Sequence, residues 1–127
     1  MKNKTLTILD SNVWIAFFDK EDSTHKKAVA IFKKLKVSEL AVTEYIILEV
    51  ATILKKYVGF DIANTFLFKL AQENITIIED ENLLKETVKI FANSARNNLS
   101  FVDCSLVYLS GKYKVITFDK KLANKLK

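Results

Sequence analysis

Residues 6–18 read LTILDSNVWIAFF, an apolar, β-branched run that stops at Asp10 and resumes as apolar sequence after Asn12. A carboxylate and an amide at the C-terminal lip of a strand lose hydration unless something replaces it. Asp10 therefore either caps the segment that follows or holds a ligand. The rest of the chain has to decide between these two uses.

Working outward, residues 5–9 (TLTIL), 39–42 (ELAV), 75–79 (ITIIE) and 114–118 (KVITF) are short, apolar and bounded by polar residues. They predict strands of a mostly parallel sheet. Helical spacing fills the gaps: Ala28, Ile31, Phe32 and Leu35 in THKKAVAIFKKL, and Leu83, Leu84, Val88 and Phe91 in ENLLKETVKIFANSAR, each read as a sheet-covering face. Thr43 can cap a helix through EYIILEVATILKKY, with Ile46, Val50, Ile53 and Tyr57 on its apolar arc. Gly59 can end that helix, and FDIANTFLFKLAQE forms the next one. The alternation predicts an α/β/α sandwich with a four- or five-stranded sheet, in which ligands sit beyond the carboxyl ends of the strands. Asp10 lies there.

The 127 residues suit one domain, 1–127, with a single core, since half of them are hydrophobic and no linker, repeat or low-complexity tract interrupts them. No apolar stretch approaches the roughly eighteen residues of a membrane span, and MKNKTLTILDS lacks the apolar region of a signal peptide. The expected location is the cytoplasm, with no membrane partner. One cysteine, Cys104, leaves no internal disulfide, and one histidine, His25, leaves no zinc cluster. Any metal would be held by oxygen. A net charge of +5 favours approach to a polyanion.

The remaining acids are then placed on elements. Glu49 sits mid-helix at the edge of the apolar arc, Asp103 follows Ser100 by three residues, and Asp119 ends KVITF as DKKLANKLK begins. Each has an ordinary reading: Ser100 and Asp103 match a capping box, Asp119 is a good N-cap, and Glu49 fits a solvated helix boundary. Asp10, Glu49, Asp103 and Asp119 can also converge on one edge of the sheet. Four such carboxylates repel one another and call for cations, of which magnesium or manganese, one or two ions, suits hard oxygen ligands and a phosphate substrate. With two ions, one activates water and the other stabilises the leaving oxygen.

Taken in order, ILDSNVWIAFF, ILEVATIL, LSFVDCSLVYL and VITFDKKL resemble a PIN domain and are similar to the small VapC-type toxins of toxin–antitoxin pairs. The resemblance covers nearly the whole chain. It implies a five-stranded parallel sheet, a magnesium- or manganese-dependent endoribonuclease that leaves a 3′-hydroxyl and a 5′-phosphate, a cognate antitoxin and a homodimer. It matches Asp10, Glu49, Asp103 and Asp119 to the family's metal-binding and catalytic acids. Asn12 matches the polar residue two after the first acid, and Thr117 the hydroxyl residue that often precedes the last; both would orient the carboxylates or a water. Leu122 stands where family members often carry an aromatic residue, and a fifth strand has no clear sequence here.

Arg96, Lys120 and Lys121 are the candidate contacts to an RNA backbone. Leu48 and Ala51, together with Phe66, Leu67, Phe68 and Leu70, spread beyond one core face and predict a homodimer through residues 44–57 and 60–73. His25 is expected at the surface and Cys104 in the core. Two other classes stay open. A non-catalytic PIN-fold binding module would keep the fold without binding metal, and a phosphoryl-accepting α/β domain would also carry an aspartate after its first strand.

Overall fold

The computed structural model describes residues 3–127, with side chains from Leu6 onward. Its elements are β1 (Asn3–Leu9), α1 (Ser11–Phe18), α2 (His25–Lys34), a 3₁₀ turn (Val37–Glu39), β2 (Leu40–Val42), α3 (Glu44–Tyr57), α4 (Phe60–Gln72), β3 (Thr76–Ile77), α5 (Leu83–Ala92), α6 (Phe101–Leu109), β4 (Tyr113–Ile116) and α7 (Lys120–Ala123). The strands are all parallel and lie in the order β3-β2-β1-β4.

That order follows from the connections. The β1–β2 and β2–β3 crossovers step one way across the sheet and the β3–β4 crossover steps back past both. Right-handed crossovers then put α1 to α4 on one face and α5 and α6 on the other, in keeping with the packing of α1 on α3, α3 on α4 and α5 on α6. The direction reverses between β1 and β4, so the crevice beyond their carboxyl ends is the topological switch point. β1 is central: Thr7, Ile8 and Leu9 are all buried, as a strand covered on both faces requires. Register places Ile8 beside Ala41 on one side and Val115 on the other.

Local chemistry sets the helix ends. The Thr43 hydroxyl accepts from the Ile46 N–H at the start of α3. Gly59, at φ +148°, turns the chain into α4 from a backbone conformation that side chains disfavour. Beneath α1 and α4, Trp14 packs edge-on against Phe32 and Phe66 with ring centroids 5.1 and 5.4 Å away.

Several expectations need correction. β3 is two residues long rather than residues 75–79, because Ile75 and Ile78 turn into the core while Thr76 and Ile77 form the exposed edge. On α5, Leu83 is buried with Thr87, whereas Leu84, Val88 and Phe91 are exposed; its apolar stripe faces outward. On α3 the core positions are Ile46, Val50 and Leu54, and Tyr57 is exposed. Phe66 and Leu70 of α4 belong to the core, leaving Leu67 and Phe68 outside. No fifth strand follows α7 among the described residues, since 124–127 (NKLK) lacks the alternation a strand needs.

Candidate active site

Asp10 leaves β1 at its carboxyl end, and its backbone N–H extends the ladder to the Ile116 carbonyl at 2.9 Å. It is the N-cap of α1, with Oδ1 accepting from the Ser11 N–H at 2.7 Å. Its other oxygen, Oδ2, accepts from the Thr117 hydroxyl at 2.7 Å. The Thr117 oxygen in turn accepts from the Asn12 amide at 3.2 Å and the Asp119 N–H at 3.1 Å, and the Asn12 carbonyl accepts from the Phe118 N–H. Thr117 therefore touches the carboxylate, whereas Asn12 acts one bond further out by fixing Thr117 and the start of the segment after β4.

Ser11, which the sequence reading passed over, is the second link. It is buried, lies 3.4 Å from Asp10 Oδ1 through its hydroxyl, and donates that hydroxyl to Glu49 Oε1. Its position in DSN, between two residues already singled out at a strand end, was the available signal. Asp103 stands in the first turn of α6, in a reciprocal capping box: its Oδ2 accepts from the Ser100 N–H at 2.9 Å, and its own N–H donates to the Ser100 hydroxyl at 3.0 Å. Asp119 is exposed and caps α7 through Oδ1, which accepts from the Lys121 and Leu122 N–H groups.

Capping and ligand binding thus need not compete. Asp103 and Asp119 each hold a helix with one oxygen, and neither their second oxygens nor Glu49 Oε2 has a hydrogen-bond partner among the described residues.

The electrostatics single out Asp10. Burial, opposed by the hydrogen bonds from Thr117 and Ser11 and reinforced by the charges of Asp103 and Glu49, pushes its carboxyl up to about 6. No protein cation makes an ion pair with it among the described residues. As the side chains stand, no three His, Cys, Asp or Glu residues among those described surround a common point closely enough to hold an ion. The donor chemistry still fits magnesium. That ion is usually bound through one or two carboxylates while keeping several waters, and every group here is a hard oxygen. Asp10 and Glu49 are joined through Ser11, Asp103 lies close enough for its charge to act on Asp10, and Asp119 is tied to the same network through its N–H on Thr117.

Arg96 and Lys121 line one cleft of about 420 Å³, outside the carboxylate pocket, and Lys120 does not contribute to it. His25 is half-buried rather than at the surface, with Nδ1 2.7 Å from the Ala16 carbonyl. Cys104 is fully buried, and burial raises its thiol above the usual range.

A parallel α/β sheet with Asp10 at its switch point and Glu49 linked to it through Ser11 defines a class of domain, and comparison narrows it. The PIN domain family model matches residues 7–126, so the chain belongs to the PIN domain family. Among solved structures it is similar to the VapC20 toxin of Mycobacterium tuberculosis, a sarcin–ricin loop cleaving toxin (TM-score 0.79, 15% identity, 93% of each chain covered). It is also similar to FitAcB from Neisseria gonorrhoeae (TM-score 0.68, 14% identity, 94% of this chain and 92% of that one). A third is PAE2754 from Pyrobaculum aerophilum (TM-score 0.62, 24% identity, 96% and 85%). At these identities the likeness is one of fold. No curated protein matches the chain by sequence.

Proposed function

We propose that this PIN domain, taken as one unit over residues 1–127, is a magnesium- or manganese-dependent endoribonuclease and the toxin of a toxin–antitoxin pair, acting in the cytoplasm. One observation carries the reading. Asp10 is 5% exposed, faces the charges of Glu49 and Asp103, and forms no ion pair with a cation among the described residues. A fold that keeps such a carboxylate at its switch point has a use for an external cation.

In this reading Asp10, Glu49 and Asp103 are the principal metal-binding and catalytic acids, and Asp119 acts from the rim. A bound divalent cation supplies activation of water and neutralisation of charge at the phosphate. Ser11 and Thr117 hold Asp10 and Glu49 in position, and Asn12 fixes Thr117. The substrate class rests on the family, the basic chain and the fold likeness to a toxin that cleaves the sarcin–ricin loop. No helix among the described residues is long and apolar enough to cross a membrane.

The test incubates total RNA with the purified chain in manganese, beside Asp10→Asn, and maps the new ends. Cuts made by the wild type alone support the reading, and equal cutting by the variant removes Asp10 from it. The non-catalytic alternative draws on the lack of a ready three-acid group; calorimetry showing no manganese uptake would favour it.

Self-association is proposed through α3 and α4, whose outward residues include the exposed Leu48, Leu67 and Phe68, and the apolar surface continues from α3 towards α5. Leu48 is exposed, and Tyr45, Phe101 and Phe91 form a chain of ring contacts from α3 to α5, at 5.7 and 5.6 Å. Tyr45, Leu48 and Phe101 line a groove of about 500 Å³ that reaches Glu49. Light scattering should give a dimer mass for the wild type and a monomer mass for Leu48→Glu.

A further inference from the structure

The segment between α5 and α6, residues 93–100, carries Arg96, Asn97 and Asn98 and faces α7 across the cleft of about 420 Å³. Lys121, Asn124 and Lys125 form the opposite wall. No carboxylate lines this cleft, and none of its three cations has an ion-pair partner among the described residues. Its amides differ in what they can offer. The Asn97 carbonyl already accepts from the Leu99 N–H at 3.1 Å, whereas the Asn98 and Asn124 side chains make no hydrogen bond among the described residues and present a donor and an acceptor each.

The cleft also has an address. One wall leads into α6, whose first turn holds Asp103, and the other is α7 and the two residues after it, with Asp119 as the cap of that helix, so the cleft lies between the elements that carry these two acids. Its volume falls in the range of small-ligand pockets, roughly 300–1,000 Å³, which suits a single nucleotide and not a duplex. A neighbouring depression of about 330 Å³ shares Asn97, Leu99 and Lys125 and continues the path. Leu99 gives the cleft an apolar surface for a base to lie on.

We propose that this cleft is a subsite for one unpaired nucleotide beside the scissile bond, with its phosphate held by Arg96, Lys121 and Lys125 and its base edge read by the amides of Asn98 and Asn124. The proposal rests on the nuclease reading and deepens it: the substrate strand is single-stranded where it meets the protein, and base preference is set outside the carboxylate pocket. Cations position a strand without reading it, whereas paired donors and acceptors on an amide discriminate among bases.

The test uses the full chain carrying Asp10→Asn, in chelator, so that bound RNA stays whole. Fluorescence anisotropy measures binding of labelled octanucleotides of adenosine, cytidine or uridine over a range of salt. The triple variant Arg96→Ala, Lys121→Ala, Lys125→Ala should bind every oligonucleotide more weakly and lower the slope of log affinity against log salt by about 2, close to 0.7 for each lost contact. The double variant Asn98→Ala, Asn124→Ala should keep that slope but shrink a base preference of about tenfold to within a few-fold. An unchanged slope in the triple variant, a preference that survives in the double variant, or no preference before substitution each overturns the subsite. Cleavage by the chain with Asp10 intact, in manganese, is scored separately. Cutting combined with unresponsive cleft variants refutes the subsite alone, while selective binding that depends on the cleft, without any cutting, refutes the nuclease reading alone.

Discussion

Asp10 and Asp80 both follow a parallel strand and both have little access to water, yet the protein surrounds them in opposite ways. Asp80, with its side chain 8% exposed, accepts from Lys112 Nζ at 2.8 Å and from the Tyr108 hydroxyl at 3.0 Å, while Lys112 also reaches that hydroxyl at 2.9 Å. Burial acts against its charge, but the hydrogen bonds from Lys112, Asn82 and Tyr108 outweigh it and hold the carboxyl below its usual range; the same contacts raise Lys112. At Asp10 burial prevails, and the nearest charges are other acids. One carboxylate is neutralised from within and ties the start of α5 to the end of α6. The other has no ion-pair partner among the described residues, which is the contrast on which the proposed metal site rests.

The largest expected effect separates the two outright. Asp10→Asn should cut RNA cleavage to below about 1% of wild type, through loss of the metal-binding charge, whereas Asp80→Asn should leave cleavage within a few-fold. In chelator, Asp10→Asn should raise stability by about 1 kcal/mol. The gain stays modest because the new amide must still be accommodated by the Thr117 hydroxyl. If Asp10 only caps α1, Asn serves nearly as well and cleavage survives. Asp103→Asn should behave like Asp10→Asn, and the double variant should gain less than the two single gains added, because both remove the same repulsion.

Next in size, Ser11→Ala should weaken manganese binding about tenfold, the usual cost of losing a group that orients a ligand. Calorimetry reads this directly, and an unchanged affinity would mean that Glu49 needs no such hold.

The pH dependence of metal-free stability sharpens the contrast. The carboxyl of Asp10 titrates near 6 in the folded chain against an ordinary 3.8, so the folded state holds the extra proton between those values. Stability should therefore fall as pH rises through that window, by roughly 3 kcal/mol. Asp80 is shifted the other way: its contribution is complete above the ordinary 3.8 and is lost as pH falls through its lower folded value. Urea melts in chelator from pH 3 to pH 8 should show both slopes, with Asp10→Asn flattening only the upper and Asp80→Asn only the lower.

The smallest effect concerns the internal pair alone. Lys112→Met should cost about 1 kcal/mol, since the lysine is 44% exposed and solvent already screens much of the pair.

The same two regions show what could be read in advance. Strand ends and caps are local, so β1, α3 with Thr43, the break at Gly59 and the acid positions were legible from a few neighbouring residues. The outward face of α5 was not. Periodicity locates a stripe such as Leu84, Val88 and Phe91, but which side packs on the sheet is decided by partners far along the chain. Asp80 stood at the lip of a predicted strand just as Asp10 did, and the signal that drew attention to one was present for the other. Its pairing with Lys112 spans 32 positions and left no pattern in the sequence. The Ser11 hydroxyl escaped for the same reason: a hydroxyl shows its role only when its distant acceptor, here Glu49, is known.

The stitch between Thr117 and Asp10 joins residues 107 positions apart, and Asn12 reaches Thr117 and Phe118 across similar gaps. Synthesis delivers β1 well before β4, so the growing chain carries Asp10 through more than a hundred further residues without the strand that fixes it. On the proposed nuclease reading, the pocket is therefore incomplete until β4 has emerged and docked beside β1. The contact that orders Asp10 thus also sets the moment at which that pocket is complete.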